Sequence, residues 1–340
     1  MKRRPFLLSL AAVAGACRAP APRLNVFNWS EYLGNQTLAD FREETGIEVR
    51  YSVYESNEEL LAKVFSGNSG WDVVFPSNYF IEPMREKKLL APMDHGRLTR
   101  LDNLDATMRS PVWDRKLDWC VPYMWGATGI AYRRELTPAP TGWADLWDAR
   151  LRGRLTMLDD PADTMGAALK KRGLPLNSPR PEDLRIARDE LLAQKPLVRA
   201  YINVEARDQL VAGDLLACHM WATTAQFAID DSDQVAFVYP REGFPLYADN
   251  AVILRESPRK EMAHRFIDFL LRPEIAAAIV VDSRTATANA AARKLLPEAM
   301  RSNPVVYPDA ETLSRGEWFA PLPVEAQRLR DRYWTEVKSG

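Results

Sequence analysis

Apolar positions along the chain switch between a period of two and a period of three to four. Val26-Phe27 opens as a short apolar strand that stops in Asn28-Trp29-Ser30-Glu31-Tyr32. Thr37 to Thr45 sets Leu38 and Phe41 on one helical face and ends at Gly46, a good C-cap residue. Ile47, Val49, Tyr51 and Val53 then alternate as a strand does. Ser56 and Glu59 make an S-x-x-E capping box ahead of Leu60, Leu61, Val64 and Phe65. Asp72-Val73-Val74-Phe75 is a buried-strand run closing in Pro76-Ser77-Asn78-Tyr79, and a helical stretch leads to Leu89 and Leu90. This β-α-β-α order predicts an α/β fold with a mostly parallel sheet and helices on its faces.

Residues 121–133 read as a pair of apolar strands broken at Gly126, a place for a connection between domains. Trp143 to Trp147 is a short aromatic helix; Leu155 to Leu158 is a strand ending in Asp159-Asp160; Asp163 opens a helix that stops at Gly173. Residues 175–197 read as connection plus surface helix. Helical Val204 to Val211 turns at Gly213-Asp214 into the strand Leu215 to Trp221. Phe237-Val238-Tyr239 is a strand, and Tyr247-Ala248-Asp249-Asn250 precedes another from Ala251 to Leu254. Amphipathic helices follow at 261–271, from Pro273 to about Val281, and from Val324 to Val337. No internal repeat is visible.

An aromatic or a carboxylate recurs where strands stop: Trp29, Glu31, Tyr32, Tyr79, Asp160, Trp221, Tyr247 and Asp249. In open α/β sheets ligands bind beyond the carboxyl ends of strands, so this pattern suits an organic cation. Asp160 and Asp163 also have a purely structural reading, since a carboxylate in a helix's first turn gains roughly 0.3–1 kcal/mol from the helix dipole.

Composition narrows the chemistry. The 340 residues are 46% hydrophobic and 27% charged, room for two globular domains. Net charge is −1, or −4 once Lys2, Arg3 and Arg4 are set aside; with no basic stripe, nucleic acid is not an expected partner. His95, His219 and His264 are far apart and in no metal-ligand spacing, and no nucleophile, zinc, Walker or Rossmann motif occurs. Neither a catalytic residue, a metal nor a cofactor is expected. Residues 1–16 carry a basic start, a short apolar stretch and small residues, the pattern of a secretory signal; Arg3-Arg4 resembles a twin-arginine signal. Ala14-Gly15-Ala16-Cys17 resembles a lipoprotein box, with Ala14 where Leu is usual, so Cys17 is read either as a lipid-bearing first residue or as incidental to an ordinary signal. Residues 17–23 read as a tether. Cys120 and Cys218 are read as buried thiols or as a bridge.

Several ordered stretches carry a resemblance that covers Leu24 to Lys338: Phe27-Asn28-Trp29-Ser30-Glu31-Tyr32, Tyr54-Glu55-Ser56-Asn57-Glu58, Phe75-Pro76-Ser77-Asn78-Tyr79, Pro122-Tyr123-Met124-Trp125-Gly126-Ala127-Thr128 and Tyr307-Pro308-Asp309-Ala310-Glu311-Thr312. Through them the chain resembles the periplasmic spermidine/putrescine-binding proteins of bacterial polyamine ABC transporters. The resemblance implies a two-lobed periplasmic-binding-protein fold of type II, with the ligand cleft between lobes joined by crossing strands. Lobe one would hold 24–124 and 246–294, and lobe two 125–245 and 295–340. It implies a monomer that binds a polyamine, putrescine or spermidine, and delivers it to a membrane permease and its ATPase, from the periplasm or from a lipid anchor. The ligand-binding positions it implies are Trp29, Ser30, Glu31, Tyr32, Ser77, Tyr79, Asp160, Asp163, Trp221, Tyr247 and Asp249. Thr285 stands where a cleft tyrosine is usual, beside Arg284, which is expected to face solvent. Phe319 stands where a glutamine is usual. Other readings stay open at this level: a binding protein for another small cation, a polyamine-sensing lipoprotein, or a hydrolase on a similar fold.

Overall fold

The computed structural model describes residues 21–339; the expected signal, Cys17 and most of the tether lie outside them. Eleven strands follow in chain order: β1 (Arg23–Trp29), β2 (Glu48–Tyr54), β3 (Val73–Val74), β4 (Val121–Arg133), β5 (Leu155–Met157), β6 (Val198–Tyr201), β7 (Ala217–Trp221), β8 (Val235–Val238), β9 (Phe244–Ile253), β10 (Ala286–Thr287) and β11 (Gly316–Trp318). Their order is β2-β1-β3-β9-β4-β7-β5-β6, with β8 and β10 beside β4 and β11 beside β9.

The expected mostly parallel sheet is parallel only in its wings. There β1 pairs with β2 and β3, and β5 with β6 and β7. The middle is antiparallel, β3 to β9 to β4 to β7. The reason is two long strands that run through both halves. Val121 to Ala127 of β4 lie against β9, and Thr128 to Tyr132 against β7. Gly126 therefore does not break a strand pair; it sits inside one 13-residue strand, directly opposite Tyr247. Likewise β9 starts at Phe244 and is buried throughout, so Tyr247 and Asp249 lie within a strand, where a loop was expected. A carboxylate in the pattern read as a turn, but here its oxygens find buried partners.

Each half has its own core, and the crossing strands are common ground. In one, Phe41 meets Phe266 edge-on at 5.1 Å, and Phe27 stacks on Trp71 at 4.8 Å. In the other, Trp143, Leu146 and Met157 pack beneath the sheet, and Leu184, Leu191 and Trp334 join the helices Pro181–Gln194 and Val324–Ser339. The local stop and start signals mostly hold. Gly46 caps Thr37–Thr45 at φ 69°, and Ser56 Oγ accepts from Glu59 N at 3.1 Å. The capping box is only half made, because the Glu59 carboxylate takes the Glu55 N–H instead of that of Ser56. The helix Ala222–Asp231 has no periodic signal in the chain and was not expected. Cys120 and Cys218 are free, buried thiols.

Candidate functional site

The carboxyl ends of β1 and β2, the turn after β3, the middle of β9 and the start of the helix Pro161–Lys171 converge on one cavity of about 610 Å³, partly open to solvent. β1 ends at Trp29, whose indole Nε1 donates to the Phe75 carbonyl at 2.9 Å; Tyr54 donates to the same oxygen at 2.7 Å and packs 4.7 Å from the indole. Both rings are thus fixed before any ligand arrives. Glu31 then turns the chain through the left-handed region at φ 54°, uncommon for a residue with a side chain.

Asp249 is the deepest acid. Ser77 Oγ donates to its Oδ1 at 2.7 Å and Tyr32 Oη to its Oδ2 at 2.9 Å. Asn57 steadies this arrangement, giving its amide to Ser77 Oγ at 3.1 Å and to the Tyr79 hydroxyl at 3.3 Å. Asp249 is 2% exposed and meets no cation. Burial pushes its carboxyl up to about 7, against the pull of the two hydroxyls.

Across the cavity Asp160 N-caps the helix Pro161–Lys171, taking the N–H groups of Ala162 and Asp163 at 2.8 and 2.9 Å. Asp160 thus caps its helix and also lines the cavity. Asp163 receives the Trp221 indole N–H at 3.3 Å on Oδ2, while its buried Oδ1 accepts nothing. Burial and then the neighbouring Asp160 charge hold the Asp163 carboxyl well above the ordinary range.

Of the positions expected from sequence, Trp29, Ser30, Glu31, Tyr32, Ser77, Tyr79, Asp160, Asp163, Trp221, Tyr247, Asp249 and Phe319 line this one cavity. Thr285 does not. It is fully buried, with its hydroxyl donating to the Ser283 carbonyl at 3.1 Å. Of the expected binding positions, Thr285 is thus the one that the cavity lining leaves out; its side chain turns to the protein interior. Its neighbour Arg284 caps the preceding helix at φ 57° and pairs with Asp230 at 2.7 Å, partly exposed and away from the cavity. Sequence reasoning missed Glu55, Asn57, Val204, Thr223 and Thr224. Glu55 and Asn57 follow the end of β2, the same signal that singled out the other acids. The two threonines begin the unexpected helix.

Among the lining residues five are carboxylic acids and six are aromatic; none is Lys, Arg or His. Side chains from the two halves also meet over the cavity: Trp29 and Trp221 lie 6.5 Å apart, Arg207 reaches Glu31 at 3.2 Å, and Asn203 donates to the Glu55 carbonyl at 3.4 Å. Among the described residues no cluster suits a metal ion, and no helix is long and apolar enough to cross a membrane. The histidines are used otherwise. His264 Nε2 accepts from Asp94 N, and His219 packs edge-on to Trp143 in a burial that drives its pKa down to about 3.

The family described as bacterial extracellular solute-binding protein matches residues 36–306. The chain is 34% identical to the spermidine/putrescine-binding periplasmic protein of Escherichia coli K12, over 99% of this chain and 98% of that one. Among solved structures, a Listeria monocytogenes protein described as a spermidine/putrescine ABC transporter superposes with a TM-score of 0.90 at 30% identity, covering 94% of this chain and 99% of that one. The TpPotD lipoprotein of Treponema pallidum superposes with a TM-score of 0.83 at 26% identity, over 93% and 99% of the two chains.

Proposed function

The chain belongs to the bacterial extracellular solute-binding protein family, and from that premise we propose that it captures a polyamine in the cleft between its lobes for an ABC transporter. One observation carries this reading: a cavity walled by five carboxylic acids and six aromatic rings, with no basic side chain among its lining residues. Burying an unpaired charge is costly, so acids such as Asp249 and Asp163 fit a ligand that brings its own cations. Aromatic faces cover methylenes and add a cation–π attraction of roughly 0.5–2 kcal/mol each. A zwitterionic or anionic solute would meet no cation among the lining residues. On this reading the solute is bound and released unchanged.

The two acids lie on opposite halves, Asp249 on β9 and Asp163 on the helix Pro161–Lys171. A ligand that bridges them contacts both only when the lobes are shut, which is how binding drives closure. The lobe limits proposed are 24–124 with 246–294 and 125–245 with 295–340; the change of β4 partner after Ala127 supports them. The partners are the permease and ATPase of the transporter, reached by a monomer, with Cys17 as the lipid anchor.

Calorimetric titration with putrescine, spermidine and spermine tests the reading. Saturable one-to-one binding of at least one is expected. No heat from any of the three, with binding of an uncharged or acidic solute instead, overturns it.

A further inference from the structure

The cleft's acids are not equally free. Asp249 accepts only from the neutral hydroxyls of Ser77 and Tyr32, and the buried Oδ1 of Asp163 accepts from nothing. Asp160 gives one oxygen, Oδ1, to its helix's first two free N–H groups and stands beside Asp163, with which it forms one acidic pair. Glu31, by contrast, already holds a cation: the Arg207 guanidinium, on the helix Ala206–Ala212 of the other half, reaches its Oε1 at 3.2 Å.

That guanidinium has partners of its own on the second half. It lies 5.6 Å over the Phe227 ring, and Nε donates to Asp208 at 3.2 Å. Four residues earlier, Asn203 donates to the Glu55 carbonyl, drawing the same segment onto the rim. Glu55, the remaining rim acid, accepts from Ser30 at 3.1 Å. A guanidinium stays charged at any working pH. An ammonium seeking Glu31 would therefore meet a like charge already in place.

Resting on the polyamine reading above, we infer that Arg207 occupies the place of a third ammonium and makes the cleft selective for a diamine over a triamine. Two charges of the ligand then answer Asp249 and Asp163, and the protein supplies the third cation itself. Arg207 is a positioning residue in this scheme. It is not among the residues that line the cavity, and it acts through Glu31 and through its own charge.

The test is a titration of putrescine and spermidine, at equal ionic strength, into wild type, Arg207→Met, Arg207→Gln and Arg207→Lys, with melting temperatures confirming folded protein. The wild type is expected to favour putrescine. Both neutral variants should shift the ratio of the two affinities toward spermidine by about tenfold or more, since like-charge contacts at an interface are costly, while Arg207→Lys keeps the wild-type preference. An unchanged ratio in the neutral variants, or a wild type that favours spermidine, overturns the assignment while leaving the polyamine reading intact. A wild type that binds neither amine overturns that reading, and this one with it.

Discussion

The phenol ring of Tyr247 lies directly over Gly126 on the neighbouring strand, so close that a Cβ at Gly126 would stand 2.5 Å from the hydroxyl oxygen and 2.6 Å from the ring. The two residues face each other in the β4–β9 ladder that passes between the lobes. A bare backbone at this point is what lets an aromatic side chain lie flat against the crossing strands and still form one wall of the cavity.

Gly126→Ala should therefore push Tyr247 into the cleft. Overpacking of this kind costs typically 1–3 kcal/mol. We expect a lowered melting temperature together with polyamine affinity reduced about tenfold or more. Titration and thermal unfolding of the same sample check it; wild-type affinity in Gly126→Ala would show that the Tyr247 ring has another resting place.

Asp249→Asn should weaken polyamine binding by about 2–4 kcal/mol, because a desolvated ammonium loses its partner. The same change should stabilise the ligand-free protein. The folded-state carboxyl titrates at about 7, above the ordinary 3.8, so the folded state disfavours its ionised form. This destabilisation is absent below about pH 4, grows as pH rises through the interval to 7, and is complete above it. The ligand-free variant should melt higher than wild type at pH 8, with the difference gone at pH 4. Equal melting temperatures at pH 8 would contradict the assignment.

Affinity should also depend on pH. A bound ammonium needs Asp249 ionised, and near neutrality a large share of that carboxyl carries a proton in the free protein. Binding should therefore release protons, and affinity should rise with pH up to about 7–8, over a range where aliphatic ammonium groups stay charged. We expect binding about tenfold weaker at pH 6 than at pH 8. Titrations in two buffers of different ionisation heat count the released protons, and a flat profile would place the ammonium elsewhere.

At the other end of the chain, Cys17 should be the first residue of the mature protein and carry lipid. A clickable fatty acid should label wild type but not Cys17→Ser. An unmodified N-terminus near Ala21 by intact mass would show an ordinary cleaved signal.

The chain by itself determined most of the longer strands and helices, though not the helix Ala222–Asp231 or the short strands β6, β10 and β11, and it showed the acids and aromatics at strand ends and an overall chemistry suited to an organic cation. Those signals are local: the period of apolar positions, Gly46 as a stop, Ser56 as a start. Twelve of the expected positions do share one cavity. Tertiary structure alone decided the rest. Asp249 reads as a loop residue until Ser77 and Tyr32, distant in sequence, satisfy it inside a strand. Gly126 reads as a break until Tyr247 is laid over it. Thr285 reads as part of the cleft until its side chain is seen turned inward to Ser283. Glu31 reads as a free carboxylate until Arg207, 176 residues away, closes on it. For Asp249, Gly126 and Glu31 the deciding partner lies outside any local window, so its hydrogen bond, contact or charge leaves no period or spacing to read; at Thr285 the hydrogen bond is local, and burial by the surrounding fold decides.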